Sequence, residues 1–156
     1  VPLRQRVQAA VQKPNLLIDI QQKLRQGKGA GYEHWAKVFN LKQMAQSMNY
    51  LQEHGYCILE RNWTNKGRKE IDIIATKDDV VVFVEVKTRK VGSASTPISA
   101  VDERKQRRII LAADSFVKAC HIDFRCRFDV VGIIYDDFSS SLEHIVDAFR
   151  PRPKYY

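Results

Sequence analysis

No apolar run in this chain approaches the roughly 20 residues a membrane-spanning helix requires, so a helical span is not expected. Cysteine is scarce. Cys57, Cys120 and Cys126 cannot all pair within one chain, and none of their spacings makes a CxxC unit, so they read as reduced thiols without zinc or redox work. The single glycine-rich stretch, Gly27-Lys28-Gly29-Ala30-Gly31, has no Lys-Ser/Thr after its last glycine, which excludes a phosphate loop. The opening residues Val1 to Arg6 carry no apolar signal core, and a cytoplasmic protein is the expectation.

Acidic residues are also in short supply: 18 Asp and Glu face 26 Lys and Arg, a net charge of +8. An excess of that size favours an anionic partner, of which nucleic acid is the commonest. It is uneven, with net +5 over residues 1 to 55 and net +3 over residues 56 to 156. A chain of 156 residues can bury one core with a small appended helical piece.

The first half reads as helices. Asn15 can cap a short helix carrying Leu16, Leu17, Ile20 and Leu24 and ending at Gly27. A second helix is expected from Asn40, with Leu41, Met44, Met48 and Leu51 on one face and Gly55 at the left-handed position that closes it.

After Gly55 the pattern turns to strands. Tyr56 to Glu60 and Glu70 to Ala75 are β-branched and short, joined by a turn-rich basic stretch from Asn62 to Lys69. Val80-Val81-Val82-Phe83-Val84 is apolar at consecutive positions, which places it at the centre of a sheet covered on both faces. Pro97 is expected in the first turn of a long helix to about Lys118, whose stripe is Ile98, Val101, Ile109, Ala112 and Phe116, with Lys105 on it. Arg127 to Tyr135 reads as another buried strand, Leu142 to Phe149 as a short last element, and Arg150 to Tyr156 as a basic prolyl tail. The fold class is α/β.

Chemistry concentrates at the end of the apolar strand. Glu85 and Lys87 stand two apart and leave the same face, as do Glu70 and Asp72 in the strand before. A tight turn at Lys77-Asp78-Asp79 would set Asp72 almost opposite Glu85. Converging carboxylates repel and lose hydration, and a hard divalent ion relieves both. Mg²⁺ (or Mn²⁺) accepts a few oxygens and retains waters, so Asp72, Glu85 and the Val86 carbonyl suffice. Lys87 can then orient or deprotonate a water for attack on phosphorus. A solvated amphipathic strand end has the same spacing, and spacing alone leaves that alternative open.

Around this centre, Arg89, Lys90, Arg104, Lys105, Arg107, Arg108, Lys66 and Arg68 are candidates for binding nucleic-acid phosphates, or else ordinary solubilising charge. Lys105 either points at Glu85 or snorkels to solvent. His34, His54 and His144 have no partner spacing, and Asp129 can cap or pair with Arg127.

Taken in order, several segments resemble the YraN-type endonuclease family. They are Gly55 to Trp63, Glu70 to Ala75, Val82 to Arg89, Ala100-Val101 with Lys105-Gln106, Arg127 to Val131, His144-Ile145 and Ala148-Phe149. The resemblance covers about 100 residues and implies a PD-(D/E)XK, restriction-endonuclease-like fold: a mixed sheet flanked by helices. It implies Asp72, Glu85 and Lys87 as a metal-dependent core acting on DNA, branched or single-stranded forms included, with Glu70 and Gln106 as accessory residues. A homodimer is compatible with it. Family members usually carry a Gly-Glu pair in the first helix where this chain has Gln43, Met44 and Ala45, which implies weakened or absent cleavage.

Residues 1 to 50, above all Gly29 to Tyr32 and Trp35 to Ala45, resemble a segment of conjugative relaxase (mobilisation) proteins. The expected organisation is a relaxase-like helical segment over 1–50, a nuclease-like domain over 51–149 and a basic tail over 150–156, with a fusion seam near Tyr50 to Gly55.

Overall fold

A computed structural model describes residues 32–153, the side chains of 32–39 and 68–70 excepted. The helix expected from Asn15 and the glycine-rich stretch after it lie outside the described residues. Two helices and five strands follow in the order α1 (Tyr32–Glu53), β1 (Cys57–Asn65), β2 (Arg68–Lys77), β3 (Val80–Lys90), α2 (Glu103–Ala119), β4 (Arg125–Tyr135) and β5 (Ser140–Phe149). The strands form one mixed sheet in sequence order: β3 and β4 are parallel, the other neighbours antiparallel. This is an α/β architecture compatible with a restriction-endonuclease-like fold.

β3 is central because it has no polar face until Glu85. Val82 and Val84 meet Met44, Met48 and Leu51 of α1, whereas Val81 and Phe83 meet Ile109, Ala112 and Phe116 of α2. The two helices thus cover opposite faces, as five consecutive apolar residues require. Phe116 is the keystone of the α2 side, standing edge-on to both Trp63 and Phe83 at 5.5 and 5.9 Å between ring centroids.

α1 begins at Tyr32, eight residues before the expected Asn40. No Gly or Pro stands between Gly31 and Gly55, so nothing in the backbone halts the helix there. It ends as expected. Gly55 takes φ 87° and Tyr56 N donates to Leu51 O at 2.9 Å, the bond that closes a helix through a left-handed residue. The helix runs unbroken through Tyr50 and Leu51, and Leu51 is fully buried against the sheet.

Hairpin turns set the registers. The stretch expected as an extended turn is mostly strand, because Lys66 and Gly67, both at positive φ, make the reversal alone with Asn65 opposite Arg68. Asp78 and Asp79, at φ 49° and 61°, do the same between β2 and β3, pairing Lys77 with Val80.

Pro97 does not start α2. The helix begins at Glu103, where the Asp102 side chain caps it by accepting from Lys105 N at 2.8 Å. Residues 96–101 form bonded turns instead, and these bury Val101 while leaving Ile98 exposed.

Candidate active site

The Lys77–Val80 reversal carries a register in which Ile73 faces Val84, and there the ladder stops. One step further Asp72 and Glu85 would pair. At that point Asp72 Oδ2 accepts a hydrogen bond from Val86 N at 2.8 Å, so the carboxylate replaces backbone pairing as β2 leaves β3. The Asp72 carboxyl stands close enough to Glu85 for its charge to act on it directly.

Two ammonium groups face this pair. Lys87 Nζ and Lys105 Nζ each lie 3.4 Å from Glu85 Oε1, the first from β3 and the second from the first turn of α2. Glu85 is 4 % and Asp72 8 % exposed, whereas the two lysines reach solvent. Burial pushes the Glu85 carboxyl up to about 7. The Asp72 charge adds to the rise, against the pull of Lys105 and Lys87.

This donor set fits Mg²⁺ or Mn²⁺. No group of three or more His, Cys, Asp or Glu side chains gathers among the described residues. Two carboxylates with a backbone carbonyl and waters are what a hard octahedral ion accepts.

The remaining candidates divide. Gln106, on α2 beside Lys105, donates Nε2 to Val101 O at 2.9 Å and so holds backbone. Arg104, Arg107 and Arg108 are exposed on α2, Lys90 is exposed at the end of β3, and Lys66 is exposed in its turn. Arg89 is tied to Ser95 Oγ at 2.9 Å and to Thr88 O at 2.7 Å. Glu70 and Arg68 lie in β2, and their side chains fall outside the described residues.

A second polar cluster lies on the α1 side of the sheet. Asp129 is fully buried, accepts two hydrogen bonds from Arg127, one from His144 Nε2 at 2.8 Å and one from Asp147 N at 3.0 Å. Arg127 also donates to Tyr56 Oη at 2.7 Å. Burial alone would raise the Asp129 carboxyl, but bonds from His144, Arg127 and Asp147 hold it below its ordinary value. The pairing with Arg127 was legible at two-residue spacing. The approach of His144 depends on the β4–β5 register, which puts Val131 opposite it, and a single histidine carries no sign of that.

The family described as "Uncharacterised protein family UPF0102" matches residues 45–133. A UPF0102 protein of Bacteroides thetaiotaomicron is 44 % identical over 102 residues, spanning 65 % of this chain and 84 % of the relative. Others from Parabacteroides distasonis and Chlorobium phaeobacteroides are each 43 % identical, over 105 and 110 residues, and each match spans 86 % of the relative. The matched region holds Asp72, Glu85, Lys87 and Lys105 and starts at Ala45, within α1.

Proposed function

This chain belongs to the UPF0102 family, and on that footing we propose that it is a metal-dependent endonuclease hydrolysing phosphodiester bonds of DNA. One observation carries the reading: a buried Asp72–Glu85 carboxyl pair lies against the Lys87 and Lys105 ammonium groups, each 3.4 Å from Glu85 Oε1, in a basic domain. A buried carboxyl with a raised titration and specific charged neighbours is characteristic of functional sites.

Asp72, Glu85 and the Val86 carbonyl would hold Mg²⁺ or Mn²⁺, which when bound supplies charge neutralisation and a more acidic water. Lys87 would orient a water toward phosphorus and offset charge developing on the phosphoryl oxygens. In the hydrolysis the water oxygen bonds to phosphorus and gives up its proton to solvent, while the bond to the leaving sugar oxygen breaks and that oxygen takes a proton from solvent. Lys105, with Arg104, Arg107 and Arg108 on the same helix, draws the phosphate backbone to the site, joined by Arg68, Arg89 and Lys90. Glu70 is kept as an accessory acid.

Incubation with single-stranded, branched and duplex DNA in Mg²⁺ or Mn²⁺ tests the reading. Cleavage lost in Glu85→Ala and Lys87→Ala is the expected result. Cleavage equal in wild type and both variants would mean a contaminating nuclease.

A second reading is a nucleic-acid-binding module without turnover. It is favoured by Gln43, Met44 and Ala45 in α1, the stretch where the resemblance to the YraN-type family implies a Gly-Glu pair. It calls for salt-sensitive DNA binding and no cleavage with any metal, and binding indifferent to salt counts against it. The relaxase-like origin of residues 1 to 50, and so a fusion, is a further proposal resting on sequence alone. Limited proteolysis releasing a stable core that begins near residue 51 would support a two-part chain, whereas a core retaining α1 would not.

A further inference from the structure

Pro97 sits directly on Gly132. A Cβ at Gly132 would lie 2.5 Å from Pro97 Cβ and 2.6 Å from Pro97 Cγ, closer than real Cβ atoms approach. The proline ring is closed on its own backbone and cannot swing aside. Gly132 has no positive φ, so the backbone does not demand glycine there, and what it supplies is room. Its register partner is Lys87, which puts the ring beside the strand position bearing that lysine.

From this seat the connection between β3 and α2 is bonded step by step. Thr96 N donates to Ser99 Oγ at 2.9 Å and Ser99 N to Thr96 Oγ1 at 3.2 Å. Ala100 N reaches Thr96 O and Val101 N reaches Ile98 O. Val101 is buried in the α2-side core, and its carbonyl accepts from the Gln106 side chain at 2.9 Å. Asp102 accepts from Lys105 N through its side chain and from Gln106 N through its carbonyl. Lys105, held within this sequence of bonds, extends Nζ to Glu85.

We infer that the Gly132–Pro97 contact is a positioning device for the site, fixing the 91–102 connection and through it the first turn of α2 that carries Lys105 to Glu85. Gln106 is part of the same device, a clamp on Val101, and does not act on the reacting atoms. The consequence for cleavage rests on the nuclease reading, whereas the placement of Lys105 does not. A methyl group at Gly132 must push the connection outward by on the order of 1 Å, and misplacement of that size lowers catalysis by about 10²-fold.

The test compares wild type, Gly132→Ala, Pro97→Gly and the double variant. Two readouts are used: acetylation rates of individual lysines under limiting reagent, followed by mass spectrometry, and DNA cleavage in Mn²⁺. In Gly132→Ala, Lys105 is expected to acetylate several-fold faster while Lys87, on its strand, keeps its rate. Cleavage falls by about 10²-fold in kcat with little change in KM. The double variant relieves the collision but lacks the ring, so in both readouts it falls between Gly132→Ala and wild type, at the level of Pro97→Gly.

A folded Gly132→Ala protein with an unchanged Lys105 rate overturns the inference. Should that variant fail to fold, Pro97→Gly adds no atoms and decides alone: a faster Lys105 supports the device and an unchanged one overturns it. No cleavage by any form, wild type included, removes the nuclease reading, and the acetylation rates still decide the positioning.

Discussion

The carboxyl of Asp72 accepts from Val86 N at 2.8 Å and sets its charge against the carboxyl of Glu85, at the point where β2 separates from β3. Ending the ladder after Ile73–Val84 gives up backbone pairing on the central strand of the sheet. What replaces it is a pair of acids with two lysines on one oxygen, an arrangement with no merit for stability. Its consequences are therefore measurable without any substrate.

Stability should respond to pH through Glu85. Its carboxyl titrates near 4.5 in the unfolded chain and near 7 in the folded one, so between those values the folded state binds more protons. A raised carboxyl value means that the folded state suffers no penalty below about 4.5 and a growing one as pH climbs to 7. The full loss is on the order of 3 kcal/mol. Urea denaturation at pH 5 and pH 8 measures it. Glu85→Gln should flatten the slope across this window and be more stable than wild type at pH 8, and an unaltered slope in the variant would sink the assignment.

The two lysines should affect metal binding and turnover in opposite senses. Each ammonium stands 3.4 Å from the oxygen a cation would use, so like-charge repulsion weakens the ion while the charge helps the phosphate. Lys87→Ala and Lys105→Ala should each bind Mn²⁺ more tightly by calorimetry than wild type. Lys87→Ala should nevertheless lose roughly 10²–10³-fold in cleavage, the range for one donor aimed at developing charge. Weaker Mn²⁺ binding in both variants would place the ion elsewhere.

Asp129 should matter to folding and not to that site. It is fully buried, bonded to Arg127, His144 and Asp147 N, and on the sheet face opposite Glu85. Asp129→Ala leaves the Arg127 and His144 donors without their shared acceptor and should reduce unfolding free energy by roughly 3–5 kcal/mol. Chemical denaturation gives the loss, and Mn²⁺ affinity of the folded variant gives the control. A loss below about 1 kcal/mol, the usual worth of an exposed ion pair, would show the cluster to be open to solvent.

Much of this arrangement was legible because its causes are local. Five apolar residues in a row fixed the centre of the sheet, Gly55 closed α1, and the Asp78-Asp79 reversal set the Ile73–Val84 register, which leaves Asp72 and Glu85 one step beyond it. Lys105 could not be decided from α2, since a lysine on an apolar stripe snorkels to water unless an acid lies within reach, and that acid belongs to another element. The seat of Pro97 on Gly132 was hidden for the same reason. A helix start and a packed turn use proline at the same spacing, and the distinction lies in the strand beneath. The early start of α1 left no mark because helices signal their ends by breakers, and residues 32 to 39 hold none.

The outward face of α2 should set the salt dependence of DNA binding. Arg104, Arg107 and Arg108 are exposed and spaced three and four apart, so one side of the helix carries all three. Lys105 turns from them toward Glu85. Each phosphate contact contributes about 0.7 to the slope of log K against log salt for single strands and about 0.9 for duplex. Replacing all three arginines with glutamine should lower the slope by roughly 2 to 3 and weaken binding alike for every sequence. Fluorescence anisotropy with a labelled oligonucleotide across a salt series reads both quantities. A slope equal to that of wild type would mean the backbone runs elsewhere, and the same series on Arg89→Gln and Lys90→Gln would then show whether the end of β3 carries it.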